Sequence, residues 1–228
     1  MEGEVYPVDS GLPGHKFCAK HKCWWYRYAE DGPGVPTNIH PFLLQKEGVS
    51  RVNFRQRAPH PSQEMKDEPE ESELLAELIK LITVIIEVHL KKLLPEMYDR
   101  IRVTVSRLPL NERSLAHPFG GLVINVAVAT RGHRDAGDKE LCIVIPFGEW
   151  VGGELGLFEL GFLFRLRAWD AIIFPSCWVT HFNQHFVGER LSLVLHTDKH
   201  HDRWFVDYNG WMPRDGEELP CACPYCNV

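Results

Sequence analysis

Beyond Arg100 the chain breaks into short apolar segments rich in β-branched and aromatic residues. Gly120-Gly121, Gly152-Gly153, Gly161, Asp170 and Gly188 punctuate them. The segments expected as strands are 101–107, 121–130, 140–146, 154–158, 162–167, 171–174, 190–196 and 203–206. No helical pattern alternates with them. That order argues for two packed antiparallel sheets rather than a parallel sheet. The expected fold class is therefore α+β with a mainly β core, a double-stranded β-helix or jelly roll backed by N-terminal helices.

One long helix precedes the β region. Leu74, Leu78, Ile82, Ile85, Ile86, Leu90 and Leu93 recur at steps of three and four, with Glu73, Glu77, Lys80, Glu87, Lys91 and Lys92 between them. Ser72 is the expected N-cap and Pro95 the stop. Residues 64–77 hold seven acidic side chains (Glu64, Asp67, Glu68, Glu70, Glu71, Glu73, Glu77) against Lys66, a balance of −6 that equals the net charge of the whole chain. The remainder is neutral overall, which neither requires nor excludes an anionic polymer as substrate. The Glu64–Glu71 stretch reads as a solvated linker, and residues 1–62, with Pro33-Gly34 and Pro36, as irregular chain. The expected organisation is 1–70 as an irregular extension covering the core and 71–228 as helix plus β core in one structural unit. With no long apolar run, no signal-peptide pattern and an odd seven cysteines, the expectation is an intracellular, monomeric protein away from membranes.

His133 and Asp135, separated by one residue, project to the same face of an extended strand. His181, 48 residues after His133, supplies a third ligand from a distant strand. Two histidines and one carboxylate form a facial triad that binds Fe(II) and leaves three positions open. Arg190 heads the apolar run Arg190-Leu191-Ser192-Leu193-Val194-Leu195, where a planar guanidinium suits a carboxylate. His-x-Asp alone is weak, occurring also at His196/Asp198 and His200/Asp202. Only the first pair is followed by enough chain to carry the other parts.

This order of parts, over about residues 100–206, resembles the Fe(II)/2-oxoglutarate-dependent dioxygenases. Within that superfamily, His133-Arg134-Asp135 and Arg190-Leu191-Ser192 look like the TET/JBP group of nucleobase dioxygenases, in its compact fungal-type form. The resemblance implies that His133, Asp135 and His181 bind Fe(II) and are the catalytic centre. It implies that Arg190 and Ser192 hold 2-oxoglutarate, and that Asp138 and His196 contact the substrate base. The implied reaction is oxidation of a methylated base, 5-methylcytosine or N6-methyladenine, with DNA as partner and RNA as the alternative polymer. The base must leave its stack to reach such a site. Residence would be nuclear if chromatin is the substrate and cytoplasmic otherwise. Two rivals share the sequence features: a hydroxylase of a protein side chain (prolyl hydroxylase-like) or small molecule, and a jelly-roll binding module without turnover.

Two cysteine clusters, Cys18/His21/Cys23 and Cys221/Cys223/Cys226, offer ligands for a structural zinc joining the termini, though neither has standard four-ligand spacing. Cys142 and Cys177 read as core residues. Trp24, Trp25, Tyr26 and Tyr28, with Lys20, Lys22 and Arg27, either stack on bases or pack onto the domain.

Overall fold

The structure, a computed structural model, describes residues 8–10, 18–26, 59–108 and 113–202. Helices α1 (Gln63–Asp67), α2 (Pro69–Leu93) and α3 (Pro95–Val105) lie between β3 (His60–Pro61) and β4 (Gly121–Val126). β1 (Val8–Ser10) and β2 (Cys18–Trp25) precede them. After β4 come β5 (Val128–His133), β6 (Cys142–Gly152), β7 (Leu155–Leu157), β8 (Phe162–Phe164), β9 (Ile172–Phe174), β10 (His181–Asn183) and β11 (Phe186–His196). One sheet has the order β1-β5-β10-β7-β8, the other β3-β2-β4-β11-β6-β9. The pairings are antiparallel except that of β1 with β5.

Strand periodicity builds three layers. On β11, Leu193 and Leu195 point to one side, where they join Ile143 and Ile145 of β6, Leu122 of β4, and Ile79, Ile86 and Leu90 of α2 in the main core. Residues of the opposite parity (Arg190, Ser192, Val194, His196) point toward the five-stranded sheet. There Val194 packs with Cys142, Val144, Leu155, Leu157 and Phe174 in a second core. The six-stranded sheet is thus sandwiched between helices and the smaller sheet.

Four sequence expectations change. Residues 101–107 alternate like a strand, yet 101–105 belong to α3. Pro95 occupies its first turn, where a missing N–H costs nothing, and Tyr98, Ile101 and Val105 recur at helical spacing onto buried surface. Ser72 is not a cap: α2 begins three residues earlier, at Pro69, and the Ser72 hydroxyl donates to the Glu68 carbonyl within the helix. The acidic stretch is α1 followed by the first turn of α2 rather than linker, because carboxylates favour helix N-termini. Within the stretch read as irregular, β2 pairs with β4 along its length. It is anchored by the buried Lys22, whose Nζ donates to Glu68 Oε2 at 2.8 Å and to the Glu64 carbonyl at 3.0 Å. The segment 203–206 lies outside the described residues. No helix among the described residues is long and apolar enough to cross a membrane.

Candidate metal centre

β5 and β10 run antiparallel with His133 directly opposite His181. Cross-strand partners share a face, which brings the imidazoles together at 4.3 Å between ring centroids. Asp135 follows just past the end of β5, its backbone N–H donating to the Ser176 carbonyl at 3.0 Å. Its carboxylate lies 3.4 Å from His181 Nε2 and 3.8 Å from His133 Nε2. One ligand atom from each of the three residues lies within 4.8 Å of the others, and among the described residues no other set of three or more His, Cys, Asp and Glu does so.

Each histidine has its other ring nitrogen fixed by a backbone carbonyl. His133 Nδ1 lies 2.7 Å from the Arg131 carbonyl, and His181 Nδ1 3.0 Å from the Val179 carbonyl. A carbonyl can only accept, so each Nδ1 carries a hydrogen, which leaves each Nε2 as the atom able to give a lone pair to a metal. Phe174 closes edge-on against His181 at 4.9 Å. Burial opposes charge on both Asp135 and His181. The hydrogen bond and attraction between the carboxylate and the protonated His181 ring outweigh it, lowering the carboxyl's pKa and raising the imidazole's, and a metal taking Nε2 would displace that proton. This donor set, two neutral imidazole nitrogens and a carboxylate on one face, fits an octahedral ferrous ion.

Arg190 enters from β11, on the facing sheet. It is only 4% exposed, and among the described residues no carboxylate pairs with it. Its Nε has no hydrogen-bond partner among the described residues, and Nη2 donates to Asn183 Oδ1 at 3.3 Å. The guanidinium carbon lies 5.6 Å from the Trp150 ring centroid and 5.5 Å from that of Phe186. Desolvation brings the guanidinium's pKa down to about 10. Asn183 stands two residues beyond His181, about 6.6 Å along β10 on the same face. A buried cation with no acidic partner among the described residues therefore stands against Asn183, two residues along β10 from His181. Ser192, buried, is two residues further along β11 on the Arg190 face.

Asp138 and His196 also meet. Ser176 Oγ donates to Asp138 Oδ2 at 3.0 Å, and Asp138 Oδ1 lies 3.2 Å from His196 Nδ1, all three residues being buried. The other His196 nitrogen, Nε2, is 3.4 Å from Cys23 Sγ. Burial alone would depress the His196 pKa, but Cys23 and Asp138 together push it up to about 10. Trp25 flanks this ring at 5.5 Å.

Sequence reasoning missed three contributors. Asn183 was findable, since the strand period from His181 puts it on the same face. Thr180 and Glu159 carried no signal. Thr180 N–H donates to Glu159 Oε2 at 2.7 Å, and Glu159 also takes an ion pair from Arg134, the residue between two ligands. Those partners hold the Glu159 carboxyl near a pKa of about 2.

The zinc expectation finds no support. On β2, Cys18 points to the face opposite His21 and Cys23, so the three cannot converge on one ion. Cys23 is buried against His196 and the Leu122 carbonyl. Cys221, Cys223 and Cys226 lie outside the described residues. Trp24 and Tyr26 are buried, which favours packing over base stacking for both, while Arg27 and Tyr28 are not described. Cys142 is core as expected, and Cys177 is half-buried in a turn rather than in a strand.

No protein-family model matches the sequence, and no curated protein matches it. Solved structures do. NgTET1 in complex with 5mC DNA superposes with a TM-score of 0.56 and 13% identity, over 79% of this chain and 61% of that one. The chain has the fold of NgTET1. It spans less than two thirds of that protein's resolved chain. An oxidoreductase of the 2OG-Fe(II) oxygenase family from Burkholderia pseudomallei aligns over a shorter stretch, 36% of this chain and 45% of that one, with 28% identity and a TM-score of 0.32.

Proposed function

We propose that this protein is an Fe(II)- and 2-oxoglutarate-dependent dioxygenase that oxidises a methylated base in DNA, 5-methylcytosine or N6-methyladenine. The observation that carries this reading is the convergence of two sheets on one small volume. β5 and β10 bring two imidazoles and a carboxylate together with ligand atoms within 4.8 Å, and β11 brings to Asn183 a buried guanidinium without an acidic partner among the described residues. The two sheets read as a double-stranded β-helix. In support, from β4 onward the chain changes sheet at every step except that from β7 to β8.

His133, Asp135 and His181 would hold the metal through two Nε2 atoms and one carboxylate oxygen. When bound, iron with 2-oxoglutarate and oxygen supplies the oxidising power for hydroxylation of a methyl C–H bond. The residues around it orient and exclude. Arg190 would take the far carboxylate of the cosubstrate in a low-dielectric setting, with Asn183 fixing the guanidinium and Ser192 adding a hydroxyl. Phe174 shields the inner side of His181 from water. Ser176 and His196 hold the Asp138 carboxylate in one orientation, suited to accept from the exocyclic amine of an extruded base.

The base substrate is supported by the fold shared with a protein solved on 5mC DNA. The test is mass spectrometry of methylated oligonucleotides, single- and double-stranded and carrying either base, incubated with Fe(II) and 2-oxoglutarate. Added oxygen on 5-methylcytosine, or demethylation of N6-methyladenine, should appear and should vanish in His181→Ala. Unchanged oligonucleotides alongside a hydroxylated peptide or metabolite would overturn the base assignment and leave the dioxygenase assignment standing.

A further inference from the structure

Helix α2 has two apolar faces. The inner one, with Leu75, Ile79, Ile82, Ile86 and Leu90, packs in the main core. The outer one consists of Leu74, Leu78, Leu81, Val84, Ile85 and Val88, each between 50% and 70% exposed. Leu74, Leu78, Leu81, Ile85 and Val88 advance in steps of four, three, four and three, the spacing of a seam between packed helices. The stripe is about 21 Å long. Glu77, exposed and paired with Lys80, is the one charged side chain within the stripe, and an aliphatic surface of that extent marks an interaction site.

We infer that this face pairs with the same face of a second copy of the chain, antiparallel, about a two-fold axis at Leu81. Charge selects both partner and direction. The stripe starts at Glu70 and Glu71 and ends at Lys91 and Lys92, all exposed. With the axis at Leu81, Leu74 faces Val88, Leu78 faces Val84, and Glu70 of each copy faces Lys92 of the other. A parallel pair would set Glu70 against Glu70 and Lys92 against Lys92. Glu71 and Lys91 are already engaged, by Lys20 at 2.8 Å and Glu87 at 2.8 Å. Glu70 and Lys92 have no ion partner among the described residues, so two intermolecular pairs become available in the antiparallel arrangement. That arrangement also sets the helix dipoles head to tail and is isologous, so it closes at two copies. The six-stranded sheet lies between the seam and the His133/Asp135/His181 cluster, so pairing leaves the candidate metal centre open. The inference does not depend on the function proposed for that centre.

Sedimentation velocity of the full chain over a concentration series tests it, with circular dichroism as a check on folding. The chain should sediment as a dimer. Leu78→Glu/Leu81→Glu, at two exposed positions, should sediment as a monomer with an unchanged spectrum. Glu70→Lys alone should weaken dimerisation about tenfold at low salt, and Glu70→Lys/Lys92→Glu should restore it, because both copies then carry the swapped charges. A wild-type chain that is monomeric up to its solubility limit would overturn the inference; residues 27–58 or 203–228 of the same chain would then be the cover to seek. A dimer indifferent to both the leucine and the charge variants would overturn it equally.

Discussion

Replacing Arg190 by methionine should stabilise the empty protein while disabling it, two effects of opposite sign from one change. Arg190 is 4% exposed, and among the described residues its Nε has no partner and its one hydrogen bond goes to a neutral amide. Its pKa falls from 12.5 to about 10 by desolvation alone, which corresponds to about 3 kcal/mol against the charged form. Methionine keeps much of the apolar stem and removes the charge. Lost attraction to the Trp150 and Phe186 rings offsets about 1–2 kcal/mol of the gain. A net stabilisation of about 1–2 kcal/mol remains, or a Tm higher by roughly 2–8 °C for a domain of this size. The cosubstrate responds the other way. Removing one partner of a buried charge pair costs about 2–5 kcal/mol, which is roughly 30-fold to several thousand-fold in 2-oxoglutarate affinity. Differential scanning fluorimetry, with Mn(II) as a redox-silent metal and with and without 2-oxoglutarate, reads both effects together. The variant should melt higher alone and lose the cosubstrate-induced shift. A variant that melts lower and still responds to 2-oxoglutarate would show that Arg190 is a structural residue, and the reasoning would be wrong.

His201 is 1% exposed with no partner at Nε2 among the described residues, and burial lowers its pKa to about 4, below the roughly 6.5 of an unfolded chain. The unfolded state therefore takes the proton first as pH falls. Stability from neutral His201 is full above about pH 6.5 and is lost progressively toward pH 4. Urea unfolding should show His201→Gln losing about 2 kcal/mol less than wild type between pH 7 and pH 5; parallel profiles would refute that assignment. Gly148 has φ +117°, and a Cβ there would collide with the Glu189 carbonyl, next to Arg190. Gly148→Ala should destabilise by about 3 kcal/mol or more, against about 1 kcal/mol for Gly161→Ala, where φ is +68° and the space is open. Equal costs in denaturant titrations would mean that the close approach at Gly148 carries no weight.

The parts of the fold that the sequence made legible are those where periodicity and burial agree. β11 alternates leucines toward the helices with Arg190, Ser192 and His196 toward the other sheet, so one strand announces both core and site. α3 was misread because Ile101-Arg102-Val103-Thr104-Val105 alternates as a strand does, while its contacts follow the helical spacing of Tyr98, Ile101 and Val105. β2 stayed hidden because its ladder to β4 joins residues about 100 positions apart, and no local pattern reports such pairing. For the site, spacing and residue chemistry pointed to His133, Asp135, His181 and Arg190, and the structure brings the first three into one cluster. The meeting of Asp138 with His196, and of both with Ser176 and Cys23, arises from tertiary contact alone. The two apolar faces of α2 merged in the sequence into one long helical pattern. Only packing separates the buried Ile79, Ile86 and Leu90 from the exposed Leu74, Leu78 and Leu81.

The central claim is that His133, Asp135 and His181 form one ferrous site to which 2-oxoglutarate adds. Anaerobic calorimetric titration of Fe(II), followed by 2-oxoglutarate, tests it most directly in wild type and in the three single alanine variants. The account predicts one iron per chain, cosubstrate binding only after the metal, and loss of both in each variant. Iron binding unaltered by all three substitutions, or tight 2-oxoglutarate binding without metal, would contradict it.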